Sequence, residues 1–367
     1  MIYLKKIKAY AISMVLLLYS SCLSEIQLEA PKIDIQSLAI TASLFHGAPS
    51  IVSVNLSRVA NFIEFDFPSP ENDAIVLLVD ENGRRQYIPN VANGYYELKI
   101  VEAIQEFPIA IGKSYQIQVI TGEGKTYAST FEPLQAVPKP SGISLATEKK
   151  QVINESGNIV DQQFIRFFID TPITKPDNSG KAILKWDIEG TYKFVESTPD
   201  GPSIPNVRTC YIKEILQRER PVIFNGKESS KAVLSQHFII EEPLDHRFSR
   251  GFYLTVFQQS ISEGAVKYWD QIRKVVDLNG NFFESPPGKI RGNFQNIDDS
   301  QEDVFGYFYA AQQDTIRVFV PQSVIGETIF PLCPGTIQAG QEPPFSTCYN
   351  CLSIPNSSTQ KPYYWIE

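Results

Sequence analysis

Histidine is scarce in this chain of 367 residues. Only His46, His237 and His246 occur, scattered and too few to build a histidine-ligated metal centre. Basic residues are short as well. Lys and Arg number 33 against 41 Asp and Glu, a net charge of −8, so the electrostatic footprint of a nucleic-acid or phosphate binder is missing. Charged residues are 20% of the chain while Phe, Trp and Tyr are 12%, which excludes a disordered or coiled-coil protein. The chain has no Gly-x-Ser-x-Gly elbow, phosphate loop, dinucleotide fingerprint or His-Glu-x-x-His helix. No apolar run reaches the roughly 20 residues that a membrane helix needs.

Proline (25) and glycine (21) are plentiful and argue against a helical bundle, and the length suits about two domains. The first residues have an order of their own. Lys5, Lys6 and Lys8 form a basic start, Ala11 to Leu18 an apolar run, and the small Ser20 and Ser21 precede Cys22. This is the pattern of a lipoprotein signal, in which residues 1–21 are removed and Cys22 is acylated. Tyr19 stands where the common lipobox has Leu, with Leu18 one place earlier. Cleavage removes three Lys and no acid, leaving 30 basic residues against 41 acidic ones. Membrane attachment then rests on acyl chains and not on a basic patch. Residues 22–34 are expected to be the lipidated tether.

From about 35 to 134 the apolar period is two. Val52, Val54 and Leu56 alternate with Ser and Asn, as do Tyr115, Ile117 and Val119 with polar residues. Asn82-Gly83 and Thr121-Gly122-Glu123-Gly124 are turn signals between such runs. An immunoglobulin-like or transthyretin-like sandwich is expected here. Residues 135–144 (QAVPKPSGIS) form a Pro-rich linker. Residues 145–367 are expected to be a larger β-rich domain, with strands near 164–169, 183–188, 192–196, 252–258 and 316–320. One helix interrupts it over 262–278. Ala265, Trp269, Ile272 and Val276 share one face, Ser262 is placed to cap its start, and Asn279-Gly280 to stop it.

Four cysteines remain after lipidation: Cys210, Cys333, Cys348 and Cys351. In an exported chain they read as two disulfides tying the C-terminal tail to the body, with three connectivities open. The Cys348-x-x-Cys351 spacing also fits half a zinc site or a redox dithiol. No cofactor is expected. Asp298, Ser300 and Glu302 alternate oxygen ligands in the densest acidic stretch, a weak calcium candidate without a turn Gly or a closing Glu. Glu241, Glu242 and Asp245 could supply the paired carboxylates of glycoside hydrolysis. Asp314-Thr315-Ile316 fits a three-residue O-glycosylation pattern.

A set of ordered motifs adds a resemblance. They are Cys22, Lys185-Trp186-Asp187-Ile188-Glu189-Gly190-Thr191-Tyr192, Cys210-Tyr211-Ile212 and Tyr268-Trp269. They continue with Ser285-Pro286-Pro287-Gly288-Lys289-Ile290-Arg291-Gly292-Asn293, Val304-Phe305-Gly306-Tyr307-Phe308 and the Cys333, Cys348 and Cys351 tail. Over nearly the whole mature chain this is similar to the Bacteroidetes lipoproteins catalogued as domain of unknown function 4249. Glu25 and Glu29 lie behind Cys22, where such lipoproteins place acidic residues for surface export. The resemblance implies an outer-membrane lipoprotein facing the exterior, partnered by a TonB-dependent receptor in nutrient uptake. No catalytic residues come with it. The expected role is a non-enzymatic accessory or binding subunit with an unidentified nutrient ligand, held to the membrane by its lipid and not binding nucleic acid. The alternatives are a structural or adhesive envelope lipoprotein without a small ligand and, further off, a hydrolase.

Overall fold

The period-two pattern around Val52 becomes the strand Ser50–Arg58, with Val52, Val54 and Leu56 inward and fully buried. Its neighbour Leu38–His46 alternates in the same way through Leu38, Ile40, Ala42 and Leu44. Asn82-Gly83 forms the expected turn between Ile75–Asp80 and Arg85–Ile88, with Gly83 at φ 80°. Residues 121–124 turn Ser114–Ile120 into Thr126–Ser129, with Gly124 at φ 85°. The computed structural model describes residues 37–59, 68–101, 104, 106–199, 207–216, 220–277, 290–326, 328–338, 342 and 344–366. The leader, Cys22, the whole tether and Asn279-Gly280 lie outside the described residues.

The protein is mostly β, as read from the sequence. An eleven-stranded sheet runs, from one edge, Ser357–Ser358, Thr209–Ile215, Ile183–Val195, Phe252–Ser260, Phe308–Val320, Leu38–His46, Ser50–Arg58, Tyr95–Ile100 and Asn90–Ala92. Val222–Asn225 and Ser69–Pro70 pair off this path. A six-stranded sheet is built on Ile75–Asp80, Ser114–Ile120 and Thr126–Ser129, and a three-stranded sheet joins Gly142–Ile153, Ile159–Pro172 and Val233–Pro243.

The strand Phe308–Val320 organises the molecule. Its first half, Phe308 to Gln312, pairs in parallel with Leu38–His46, and its second half, Gln313 to Val320, pairs antiparallel with Phe252–Ser260. Phe308 and Ala310 therefore complete the N-terminal core, while Val320 belongs to the C-terminal core. Phe294–Asn296 likewise pairs with Thr126–Ser129. Residues 35–367 accordingly form one compact unit, with strands from both sides of 135–144 in the same sheets. Ala136 and Val137 are buried in that segment, as is Leu134 just before it. The Val137 N–H donates to Gln312 Oε1 at 2.9 Å, and Gln258 Nε2 donates to the Pro138 carbonyl at 2.6 Å. The prolines keep the segment extended, but packing fixes it to the body.

The expected helix is Glu263–Asp277. Ser262 Oγ accepts from the Ala265 N–H at 3.0 Å, the bond of an N-cap. Ala265 is fully buried and Trp269 packs beside it, but Val276 is 39% exposed. The apolar stripe thus covers the sheet through its first turns and opens to solvent in its last.

Candidate functional site

The helix lies on the outer face of the eleven-stranded sheet. Alternation along Ile183–Val195 sends Trp186 and Ile188 into the main core and Lys185 and Asp187 to the other face, under the helix. Lys185 is 4% exposed. Its Nζ donates to Asp187 and lies 5.1 Å from the Trp269 ring centroid and 5.7 Å from that of Tyr309. Asp187 also accepts from Gln259 Nε2 at 2.6 Å. Burial holds the Tyr309 hydroxyl well above the ordinary phenol range, and the Asp187 charge adds to it. The cation is thus enclosed by two rings and matched by one carboxylate.

At the helix start a second group is buried with no cation beside it among the described residues. The Glu132 carboxylate accepts from Ser262 Oγ at 2.6 Å, from the Tyr307 hydroxyl at 2.6 Å and from Asn293 Nδ2 at 3.5 Å. Burial pushes its carboxyl above the usual range, and the three donors only partly offset this. The Tyr268 and Tyr307 rings stack at 4.9 Å. A Cβ on Gly292 would overlap the Gly306 carbonyl, and one on Gly306, at φ 98°, would overlap the Ile40 carbonyl, so both positions require glycine where the chain segments cross. Residues from four separate motifs of the resemblance (Lys185 and Asp187, Tyr268-Trp269, Gly292-Asn293, Tyr307-Phe308) meet in this junction.

Across the helix from Trp269 runs an open groove whose other wall is Val222–Asn225 and the short turn Gly226–Glu228. It has two neighbouring compartments of about 470 and about 370 Å³, which share Asn225, Glu228, Val266 and Asp270. Ile223 and Val266 supply apolar lining, and Lys227 Nζ bridges to Glu263 at 2.6 Å. Asn225 Nδ2 donates to Glu228 Oε1 at 2.7 Å, and an Arg273 guanidinium nitrogen lies 2.8 Å from Asp270 Oδ1. Its groups suit binding through hydrogen bonds to a small polar ligand.

The residues singled out from sequence fall in other places. The cysteines pair Cys210 with Cys351 and Cys333 with Cys348, at Cα separations of 6.0 and 5.5 Å, and all four are buried. Cys348 and Cys351 are therefore neither a zinc half-site nor a dithiol pair. Ser357–Ser358 pairs with Thr209–Ile215, and Trp365 packs on Tyr211 and Tyr253, so the tail is stapled to the body. Burial alone would raise the Glu196 carboxyl, but the Cys351 N–H and Arg208 outweigh it and hold the group low beside the bridge.

Asp298, Ser300 and Glu302 are not gathered around one point. Asp298 accepts from the Thr126 N–H at 2.7 Å, while Glu302 accepts from Tyr127, Lys125 and Asn296. Ser300 is exposed at the tip. These oxygens clasp the Thr126–Ser129 strand, and no group of three or more His, Cys, Asp or Glu among the described residues is placed to hold a metal. Glu241 and Glu242 are also separated. Glu241 pairs with Lys150 and Arg166, whereas Glu242 joins Asp245 and Glu214 around Arg247. Thr315 is half-buried in the middle of its strand.

Sequence reasoning met Lys185 and Asp187 only as part of a resemblance motif, without a role, and did not single out Glu132 or the groove. Lys185 and Trp269 are far apart in the chain, and the charged groove side of the helix reads as an ordinary solvated face. The one available signal was a Lys and an Asp on the same side of an otherwise apolar strand.

A family model, domain of unknown function (DUF4249), matches residues 24–317, so the chain belongs to that family. No curated protein matches it.

Proposed function

We propose that this DUF4249 member is an exported lipoprotein, anchored through Cys22 at the outer membrane and facing the exterior. There it serves, without catalysis, as an accessory or binding subunit of a TonB-dependent uptake system. The cysteine arrangement carries the reading. Four of five cysteines are consumed in two buried disulfides, the chemistry of an oxidising compartment, and the fifth is Cys22, directly behind a basic and apolar leader. Lipid at Cys22 followed by a short polar tether holds the body close to the membrane. The partner class follows from the resemblance described above, and the groove beside the helix gives the body a surface for a small ligand.

The test is a gentle-detergent pull-down of the tagged protein from its own outer membrane. Recovery of a TonB-dependent receptor in near-equal amount supports the accessory role. Recovery of the lipoprotein alone contradicts it.

A further inference from the structure

We infer that the groove between the helix Glu263–Asp277 and the turn Gly226–Glu228 binds a neutral polyhydroxylated ring, that is, a saccharide unit. This rests on the binding role proposed above and names its ligand class.

Charge balance comes first. The carboxylates facing the groove are Glu228, Glu263 and Asp270, and the cations are Lys227, Lys267 and Arg273. Acids and cations are equal in number, so no net charge draws an anion or a cation into the groove, and binding falls to hydrogen bonds. Orientation comes second. Each acid is fixed through one oxygen: Glu228 by Asn225, Asp270 by Arg273 and Glu263 by Lys227. The second oxygens of Glu228 and Asp270 carry no hydrogen bond among the described residues. A ligand hydroxyl donates to such an oxygen while accepting from a neighbouring Lys or Arg head. Adjacent hydroxyls on one ring match this alternation of acceptors and donors.

Lining and size agree with this. Ile223 and Val266 offer apolar contact to the C–H face of a sugar ring. Compartments of about 470 and about 370 Å³ lie within the range of small-molecule sites, and their continuation along the helix suits a disaccharide better than a single ring.

The experiment is saturation-transfer-difference NMR on the detergent-solubilised full-length protein. The probes are maltose, cellobiose, lactose and chitobiose, with glucuronate and glucosamine as charged controls. At least one neutral disaccharide is expected to bind. Glu228→Ala and Asp270→Ala are each expected to weaken it tenfold or more, and Lys274→Ala, off the groove, to leave it unchanged. Asp270→Asn keeps the shape and serves if the Ala variant misfolds. The inference is overturned if no neutral disaccharide binds, if a charged control binds in their place, or if binding survives both groove substitutions. Receptor recovery by pull-down is scored separately. A receptor without sugar binding overturns only this inference, and sugar binding without a receptor overturns only the proposed partner.

Discussion

Glu132 shows how a single buried acid can join separate parts of a chain. It is 4% exposed, has no cationic partner among the described residues, and ties the Ser262 cap, Tyr307 and Asn293 together. Glu132→Ala leaves those donors unpaired in the interior and is expected to cost about 3 kcal/mol, since each buried unsatisfied group costs roughly 1–3 kcal/mol. Glu132→Gln retains an acceptor and is expected to cost much less at pH 8. Because burial raises the folded pKa, the native state keeps a proton that the unfolded chain has lost, and stability falls as pH rises from 4.5 through the folded value. Denaturant melts should show that slope in the native protein and lose it in Glu132→Gln. His237 acts in the opposite sense. Its ring lies between Trp186 and Phe224, each 5.3 Å away, and burial lowers its pKa. The unfolded chain therefore takes up the proton first, and stability falls as pH drops below 6.5 through the folded value. His237→Phe, melted over the same pH series, is expected to remove that loss.

At the scale of elements, alternation made the strands legible. Leu38–His46 and Ser50–Arg58 bury the residues that their pattern selects, because a half-buried strand records its two environments in sequence. The helix was legible in extent but not in contact, since Ile272 and Val276 continue the stripe beyond the surface that covers Ala265 and Trp269. The disulfide pairing was not legible. It depends on the tail strand Ser357–Ser358 lying beside Thr209–Ile215, a long-range pairing close to which Cys210 meets Cys351. The bridges close spans of 141 and 15 residues. By loop entropy, Cys210→Ala with Cys351→Ala is expected to cost nearly 5 kcal/mol, and Cys333→Ala with Cys348→Ala about 3 kcal/mol. Equal losses in denaturant melts would contradict the entropic account. The Gly142–Ile153 and Ile159–Pro172 hairpin extends past its third strand from Lys149↔Gln163 to Ile153↔Ile159, and its tip residues Ile153 and Ile159 are 74% and 69% exposed. Replacing both by Thr is expected to move the melting temperature by less than about 2 °C, as for surface changes generally. A drop above 5 °C would mean that the tip is buried.

The whole molecule depends on strands that cross the Pro-rich segment. Phe294, Phe308 and Ala310 fill a core otherwise made by residues 38–134, and Phe308–Val320 pairs with a strand on each side. A fragment of residues 35–144 lacks them and is expected to give collapsed amide dispersion in a proton–nitrogen NMR spectrum, whereas residues 35–367 give a dispersed one. A well-dispersed fragment would show the first core to be self-sufficient. This sharing was hidden because a parallel pairing between positions 42 and 308 leaves no local trace. The candidate site was hidden for the same reason, its acids and bases being drawn from the helix and from a turn some forty residues earlier.

The reading as an anchored, exported binder rests on the fate of the five cysteines. Mass spectrometry of the protein purified from its native membrane, digested with and without reduction, addresses all of them at once. The account predicts an N-terminal peptide beginning at acylated Cys22, with Cys210–Cys351 and Cys333–Cys348 recovered as disulfide-linked peptides. An unacylated Cys22, or free thiols at the other four positions, would contradict it.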